Sequence, residues 1–189
     1  NKYGKEAILI RLNQDVLHMI NTVNEALNEA MESFFINDKE KAAQVIHQDD
    51  AINEMENSIE YDGLACLALF QPEAIDLRFV VGVLKMITDI ERIGDLAVNI
   101  AEATIKMESF EEEMIEENLR SIYRHTQEMF QLAVDAFTSK DIEKAKRVIK
   151  MDDLLDEMTH TIFKETLVKM CRESKQIQYF IQYLLVSRH

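Results

Sequence analysis

At 189 residues the chain can bury a real hydrophobic core, as one domain or as two small ones. With 47% hydrophobic and 30% charged residues but only four Gly and one Pro, the composition favours long helices over turn-rich β structure or disorder. A formal charge of −14 repels phosphate backbones and anionic lipid, which argues against nucleic-acid binding and against docking on a membrane surface.

In chain order, Val16, Ile20, Val23, Leu27, Met31 and Phe34 recur at three and four and line one stripe of a first helix. Asn37-Asp38 interrupts that stripe and supplies a side-chain oxygen to cap a second helix, whose Val45, Ile52, Ile59 and Cys66 stand at seven-residue intervals, the spacing of bundle packing. The longest uncharged apolar stretch, Gly63 to Phe70, is far short of the roughly 20 residues a spanning helix needs, and neither a span nor a signal peptide is expected. Gln71-Pro72 punctuates the chain, with the proline placed in the first turn of a third helix that runs to about Met107. Ser109 with Glu112 reads as a capping box opening helix four, Asp141 repeats the role of Asp38 before helix five, and Ser174 caps helix six. Cys66 and Cys171 sit in apolar helical runs without a CxxC spacing and are expected to be reduced core thiols.

An offset of 103 residues superposes the two halves: Phe34 on Phe137, Asp38 on Asp141, Asp49 and Asp50 on Asp152 and Asp153, Glu54 and Met55 on Glu157 and Met158. The expected fold is therefore all-α, two tandem pseudo-repeated three-helix bundles at residues 1–108 and 109–189. In helix six the offset becomes 100, Leu184 falling on Leu84 and His189 on Asp89. The chain stops before the equivalent of Glu91, so that last helix is expected to be truncated.

Asp49 and Asn53 stand four apart in helix two, as do Glu91 and Asp95 in helix three, so each pair projects oxygens from adjacent turns of one face. Like charges at that spacing cost a few tenths of a kcal/mol, and a bound cation would turn the cost into attraction. Asp49 and Asn53 lie at roughly 60 to 100 degrees from core Ile52, beside the packing seam. If helices two and three are antiparallel neighbours the four side chains converge, with Gly94 letting the backbones approach. Asp152 and Asp156 repeat half of the arrangement. Oxygen ligands suit Mg, Ca, Mn or Fe rather than structural zinc. A solvated acidic face satisfies the same spacing, so spacing alone leaves both readings open.

Glu157-Met158-Thr159-His160 is the lone Glu-x-x-His and keeps a ferritin-like di-iron oxidase as the enzyme alternative; a metal-free structural adaptor is the third reading. Arg78 and Arg92 could contact phosphate, but helix-surface arginines in an acidic protein are expected to pair with nearby carboxylates. No Gly-rich phosphate loop, nucleophile elbow or Cys-His pairing stands behind hydrolysis or covalent catalysis, and no catalytic residue is expected.

The run Gln71-Pro72-Glu73-Ala74-Ile75-Asp76-Leu77-Arg78, followed by Asp89-Ile90-Glu91-Arg92-Ile93-Gly94-Asp95-Leu96-Ala97-Val98-Asn99-Ile100-Ala101-Glu102, resembles the signature of the PhoU family. The ending Leu184-Leu185-Val186-Ser187-Arg188-His189 resembles the approach to that signature's second copy, so the resemblance covers essentially the whole chain. It implies two three-helix bundles in a cytoplasmic, homodimeric adaptor without catalysis. That adaptor acts with the phosphate ABC transporter ATPase and a sensor histidine kinase, restraining phosphate uptake and the phosphate-starvation regulon when phosphate is plentiful. It also implies divalent or trivalent metal ions (Fe, Mn, Mg or Zn) held by paired acid-x-x-x-acid motifs, which map onto Asp49, Asn53, Glu91 and Asp95, with Asp152 and Asp156 in the second unit. Asn53 stands where an acid is usual, and the second Glu-x-x-x-Asp lies beyond His189.

Overall fold

The computed structural model describes residues 2–106 and 113–139, together with 143–144, 146–148, 150–151, 153 and 157. Its elements are four helices, α1 (Lys2–Ile36), α2 (Lys39–Phe70), α3 (Ala74–Lys106) and α4 (Glu113–Ser139). The first three each extend roughly 50 Å at the α-helical rise. Among the described residues no helix is long and apolar enough to cross a membrane.

Two breaks in the apolar periodicity become the two described turns. Asn37 takes the left-handed conformation (φ 54°) that asparagine tolerates, and the Asp38 N–H donates back to the Ser33 carbonyl at 2.8 Å, closing α1. Asp38 then opens α2: its Oδ1 accepts the Lys41 N–H at 3.0 Å, as the sequence predicts for a cap. The second turn differs from expectation. Pro72 is not in the first turn of α3, which begins at Ala74; Gln71 (φ 43°) and Ala74 (φ 50°) are both left-handed, and the buried proline ring lies between them. Two left-handed residues reverse the chain within three positions, leaving no helical turn for the proline to join.

The residues fall into two compact groups, Asn1–Leu27 with His47–Asp95 and Asn28–Ile46 with Leu96–His189. In the first, Leu12, Val16, Met19, Ile20 and Val23 of α1 are buried, as are Ile52, Ile59 and Cys66 of α2 and Val80, Val83, Ile87 and Ile90 of α3. Each such side chain contributes about 1.5–3 kcal/mol of burial. The pairings fix the directions: Arg11 of α1 binds Asp62 of α2, Lys5 binds Asp76 of α3 at 3.0 Å, and Gly94 of α3 sits against Ile52 and Val23. Toward the C-terminal end of α1 its partners fall on earlier α2 residues and later α3 residues. Helix α2 is therefore antiparallel to α1 and α3.

Cys66 is a buried free thiol, as expected, and burial pushes its pKa up, helped by the Asp76 charge and opposed by Lys5. Cys171 lies outside the described residues.

The second group buries Ala30, Met31 and Phe34 of α1, Ala42 and Val45 of α2, Ile100 and Ala101 of α3, and Met129 and Phe130 of α4. Lys41 pairs with Glu32 at 3.0 Å, the Tyr123 hydroxyl donates to Asn28 Oδ1, and the Arg120 guanidinium stacks 4.0 Å from the Phe35 ring centre. The expected boundary at residues 108 and 109 lies outside the described residues, as do the predicted caps Ser109, Asp141 and Ser174.

Candidate functional site

Helix α2 carries Asp49, Asn53 and Glu56 along one line beside its Val45, Ile52 and Ile59 core stripe, one or two turns apart. Helix α3 carries Glu91 and Asp95 beside Ile87 and Ile90. Because α2 and α3 are antiparallel, and Gly94 sits against Ile52, these two lines face each other across a shared seam. Asp49, Asn53 and Glu91 are half-buried along it and Asp95 is exposed at its edge, with Asp49 and Asp95 near enough to Glu91 for their charges to act on it.

The electrostatics follow from that geometry. Burial pushes the Asp49 pKa up, the Asp95 charge adds to the rise, and Asn53, donating to Asp49 Oδ2 at 3.5 Å, opposes it. Glu91 is pushed up to about 7, first by burial, then by a hydrogen bond with Asp95, then by the charges of Asp95, Glu56 and Asp49. Glu56 is raised by burial, then by Glu60 and Asp95. No Lys or Arg among the described residues is ion-paired with any of these carboxylates. The seam is thus a concentration of uncompensated negative charge that holds a proton near neutrality.

Glu56 was not among the expected site residues. Its signal was present, for it stands seven residues from Asp49, four before Glu60, and nearer the centre of the stripe than Asn53.

Gly94 also differs from expectation. A Cβ there would meet Ile52 at 3.6 Å and Val23 at 3.8 Å, ordinary contacts, so the glycine is not what brings the helices together. The tighter glycine is Gly63, where a Cβ would lie 2.8 Å from Leu84 Cδ2, so that the leucine side chain lies over the space the glycine leaves.

Among the described residues, no three Asp, Glu, His or Cys side chains are grouped closely enough to hold a metal ion together. The carboxylates are near enough to perturb each other's ionisation, which acts over a longer reach than coordination at 2.0–2.6 Å. Asp152, Asp156 and His160 lie outside the described residues. An open groove lined by Asp15, His18, Ala51, Glu54, Met55 and Ser58 belongs to the same helical group and includes none of the expected site residues. Arg78 and Arg92, expected to pair with carboxylates, form no ion pair with another described residue; Glu91 and Asp95 lie on the seam side of α3, away from the two arginines, and Asp89, which shares their face, is not ion-paired with either.

Comparison with known proteins matches two stretches, residues 16–104 and 119–189, to the PhoU domain. The chain is 34% identical over 176 residues to a phosphate-specific transport system accessory protein PhoU homolog of Aquifex aeolicus, covering 93% of this chain and 80% of that protein. It is 30% identical over 182 residues to the phosphate-specific transport system accessory protein PhoU of Escherichia coli strain K12, covering 96% and 76%. Among solved structures, PhoU from Pseudomonas aeruginosa superposes with a TM-score of 0.90 at 31% identity, covering 97% of this chain and 88% of that one. The phosphate transport system regulatory protein PhoU from Streptococcus pneumoniae superposes at 0.86 with 28% identity, covering 98% and 87%.

Proposed function

The chain belongs to the PhoU family, and from that premise we propose that it is a non-enzymatic accessory protein of phosphate-specific transport, a helical adaptor that restrains phosphate uptake and keeps the phosphate-starvation genes off when phosphate is plentiful. The observation that carries this reading is the double match to the PhoU domain, together with relatives whose names place them in phosphate transport. Its partners on this reading are the ATPase of the phosphate ABC transporter and a sensor histidine kinase, met in the cytoplasm by a homodimer. An adaptor shifts its partners only by binding their states unequally, so long packed helices that hold a face in one shape suit the task. Removal of the chain should release phosphate uptake in phosphate-rich medium. Uptake that stays repressed without it would refute the reading.

We propose further that the α2/α3 seam takes a metal ion of the hard, oxygen-seeking class, a reading supported by the donor types and by the unpaired charge there rather than by a ready-made coordination group. Asp49, Glu91 and Asp95 would supply carboxylate oxygens and Asn53 an amide oxygen. Carboxylate and amide oxygens completed by water suit Mg or Mn, and the same donors accept Fe. Such a cation would supply the positive charge that the seam lacks, in place of the proton at Glu91. Asp152 and Asp156 would serve the second repeat. The chain's own part is to hold Glu91 beside Asp95 on one helix and Asp49 opposite on another. Elemental analysis of purified wild type and of a Glu91→Ala, Asp95→Ala double variant tests this. Equal metal content in the two, with repression unchanged, sinks the metal's role and leaves the adaptor standing.

A further inference from the structure

On the outer face of α3, Arg78, Lys85 and Arg92 recur every seven residues and so lie along one line, roughly 10 Å apart. All three are exposed, and none is ion-paired with another described residue; Arg78 Nε reaches only the Ala74 carbonyl of its own helix, at 3.4 Å. Lys2, Lys39 and Lys106 also lack an ion pair with a described residue, so what marks this face in a chain of net charge −14 is that three cations share one line of one helix. Asp89 lies on the same face and offsets part of the charge. Apolar surface is interleaved with the row, Ile75 being 70% exposed and Val81 36%. Between them a Cβ added to Gly82 would meet nothing within 4 Å, so no packing in this chain requires a glycine there. The missing side chain leaves a low point in the face where another backbone can approach.

We propose that this face of α3 is a docking surface for an acidic amphipathic helix of a partner protein, with carboxylates that meet Arg78, Lys85 and Arg92 and small apolar side chains that cover Val81 and Gly82. The spacing selects the occupant. A single phosphate is only a few ångströms across and cannot bridge cations about 10 Å apart, whereas a helix bearing an acid every seven residues repeats at that distance. A second copy of this chain packed symmetrically on the same face would bring the cationic rows together, which like-charge repulsion opposes. An anionic bilayer gains about 1 kcal/mol per cation but faces the overall charge of −14. The surface would supply the partner contact that the adaptor reading calls for, yet it shares no residue with the seam acids. Failure of either therefore leaves the other intact.

The test uses the purified chain and a fluorescein-labelled synthetic helix with Glu at every seventh position among Leu and Ala, followed by anisotropy. A peptide of the same composition with its Glu residues shuffled out of register is the control. The in-register peptide should bind about tenfold or more tightly than the shuffled one, and R78E/K85E/R92E should remove that advantage while helix content and melting stay unchanged. The milder R78Q/K85Q/R92Q, used if reversal unfolds the protein, should also weaken binding. A matched Lys peptide should prefer the reversed variant. Four results would overturn the proposal: no binding of the in-register peptide, equal binding of the shuffled one, displacement by inorganic phosphate beyond that by chloride of equal ionic strength, or a changed oligomeric state in the neutralised variant. Derepression on deleting the chain tests the adaptor reading separately.

Discussion

Arg11 grips Asp62 with two parallel hydrogen bonds, Nε to Oδ2 at 2.8 Å and Nη2 to Oδ1 at 2.9 Å, tying α1 to α2. The two ends are unequally buried: the Arg11 side chain is 57% exposed and that of Asp62 only 11%. Removing one partner leaves the other in very different surroundings. Arg11→Ala strands a buried carboxylate and should cost about 2–3 kcal/mol, whereas Asp62→Ala leaves a solvated guanidinium and should cost about 1 kcal/mol. Urea denaturation of both variants measures the difference; equal losses would mean that the carboxylate is not effectively buried.

The raised pKa of Glu91 gives metal-free protein a pH-dependent stability of definite sign. Glu91 keeps its proton in the folded state up to about 7, whereas in the unfolded chain it loses it near the ordinary 4.5. Between those values the folded state binds more protons, so stability falls as pH rises through the window and levels off above it. Denaturation in a chelator from pH 4 to 8 should show this slope in wild type and a smaller one in Glu91→Gln. If a cation binds at the seam, adding it above pH 7 should raise stability in wild type more than in the variant.

The two exposed-to-tight extremes among the glycines predict opposite outcomes for one substitution. Gly82→Ala adds a methyl to open space in a helix and should stabilise by about 0.5–1 kcal/mol. Gly63→Ala drives a Cβ to 2.8 Å from Leu84 Cδ2 and to 3.2 Å from its Cγ, so the leucine must leave its place. Overpacking of about 1–3 kcal/mol should outweigh the propensity gain there. Thermal melts of the pair check both signs.

Loss of the α2 cap is the simplest local test. Asp38→Ala removes the oxygen that accepts the Lys41 N–H and should cost about 1 kcal/mol, and Asp38→Ser should restore most of it. A melt indistinguishable from wild type for the alanine variant would show that water serves the first turn equally well.

The stripe of α1 and the cap of α2 were legible in the sequence because each depends on neighbours a few residues away: the Val16 to Phe34 stripe and the Asp38 cap are both local patterns. The pairing of α2 with α3 was legible only as a condition, and so was the meeting of Asp49 with Glu91. Convergence across a seam depends on direction and register, which no single helix encodes. Glu56 was passed over because its place is set by the partner helix as much as by its own period. Gly94 misled in the opposite way, since a glycine between two acids suggests close approach, whereas the tight contact falls at Gly63, a position no motif marks. Arg78 and Arg92 were expected to find acids because the composition is acidic. Composition is an average, and Glu91 and Asp95 face the seam while the two arginines face away from it.

The turn at Gln71-Pro72-Glu73 carries a consequence for the seam. Proline fixes one dihedral, and left-handed residues on either side fix the chain's entry and exit, so this short link sets the rotational phase with which α3 starts. Each residue of a helix advances about 100 degrees around its axis. Inserting or deleting one residue at this link, with every side chain of α2 and α3 unchanged, would force a choice. Either Val80, Val83 and Ile87 stay in the core and the turn distorts, or Glu91 and Asp95 swing about a quarter-circle away from Asp49. A three-residue connector thus governs whether acids fifteen or more positions downstream find their counterparts.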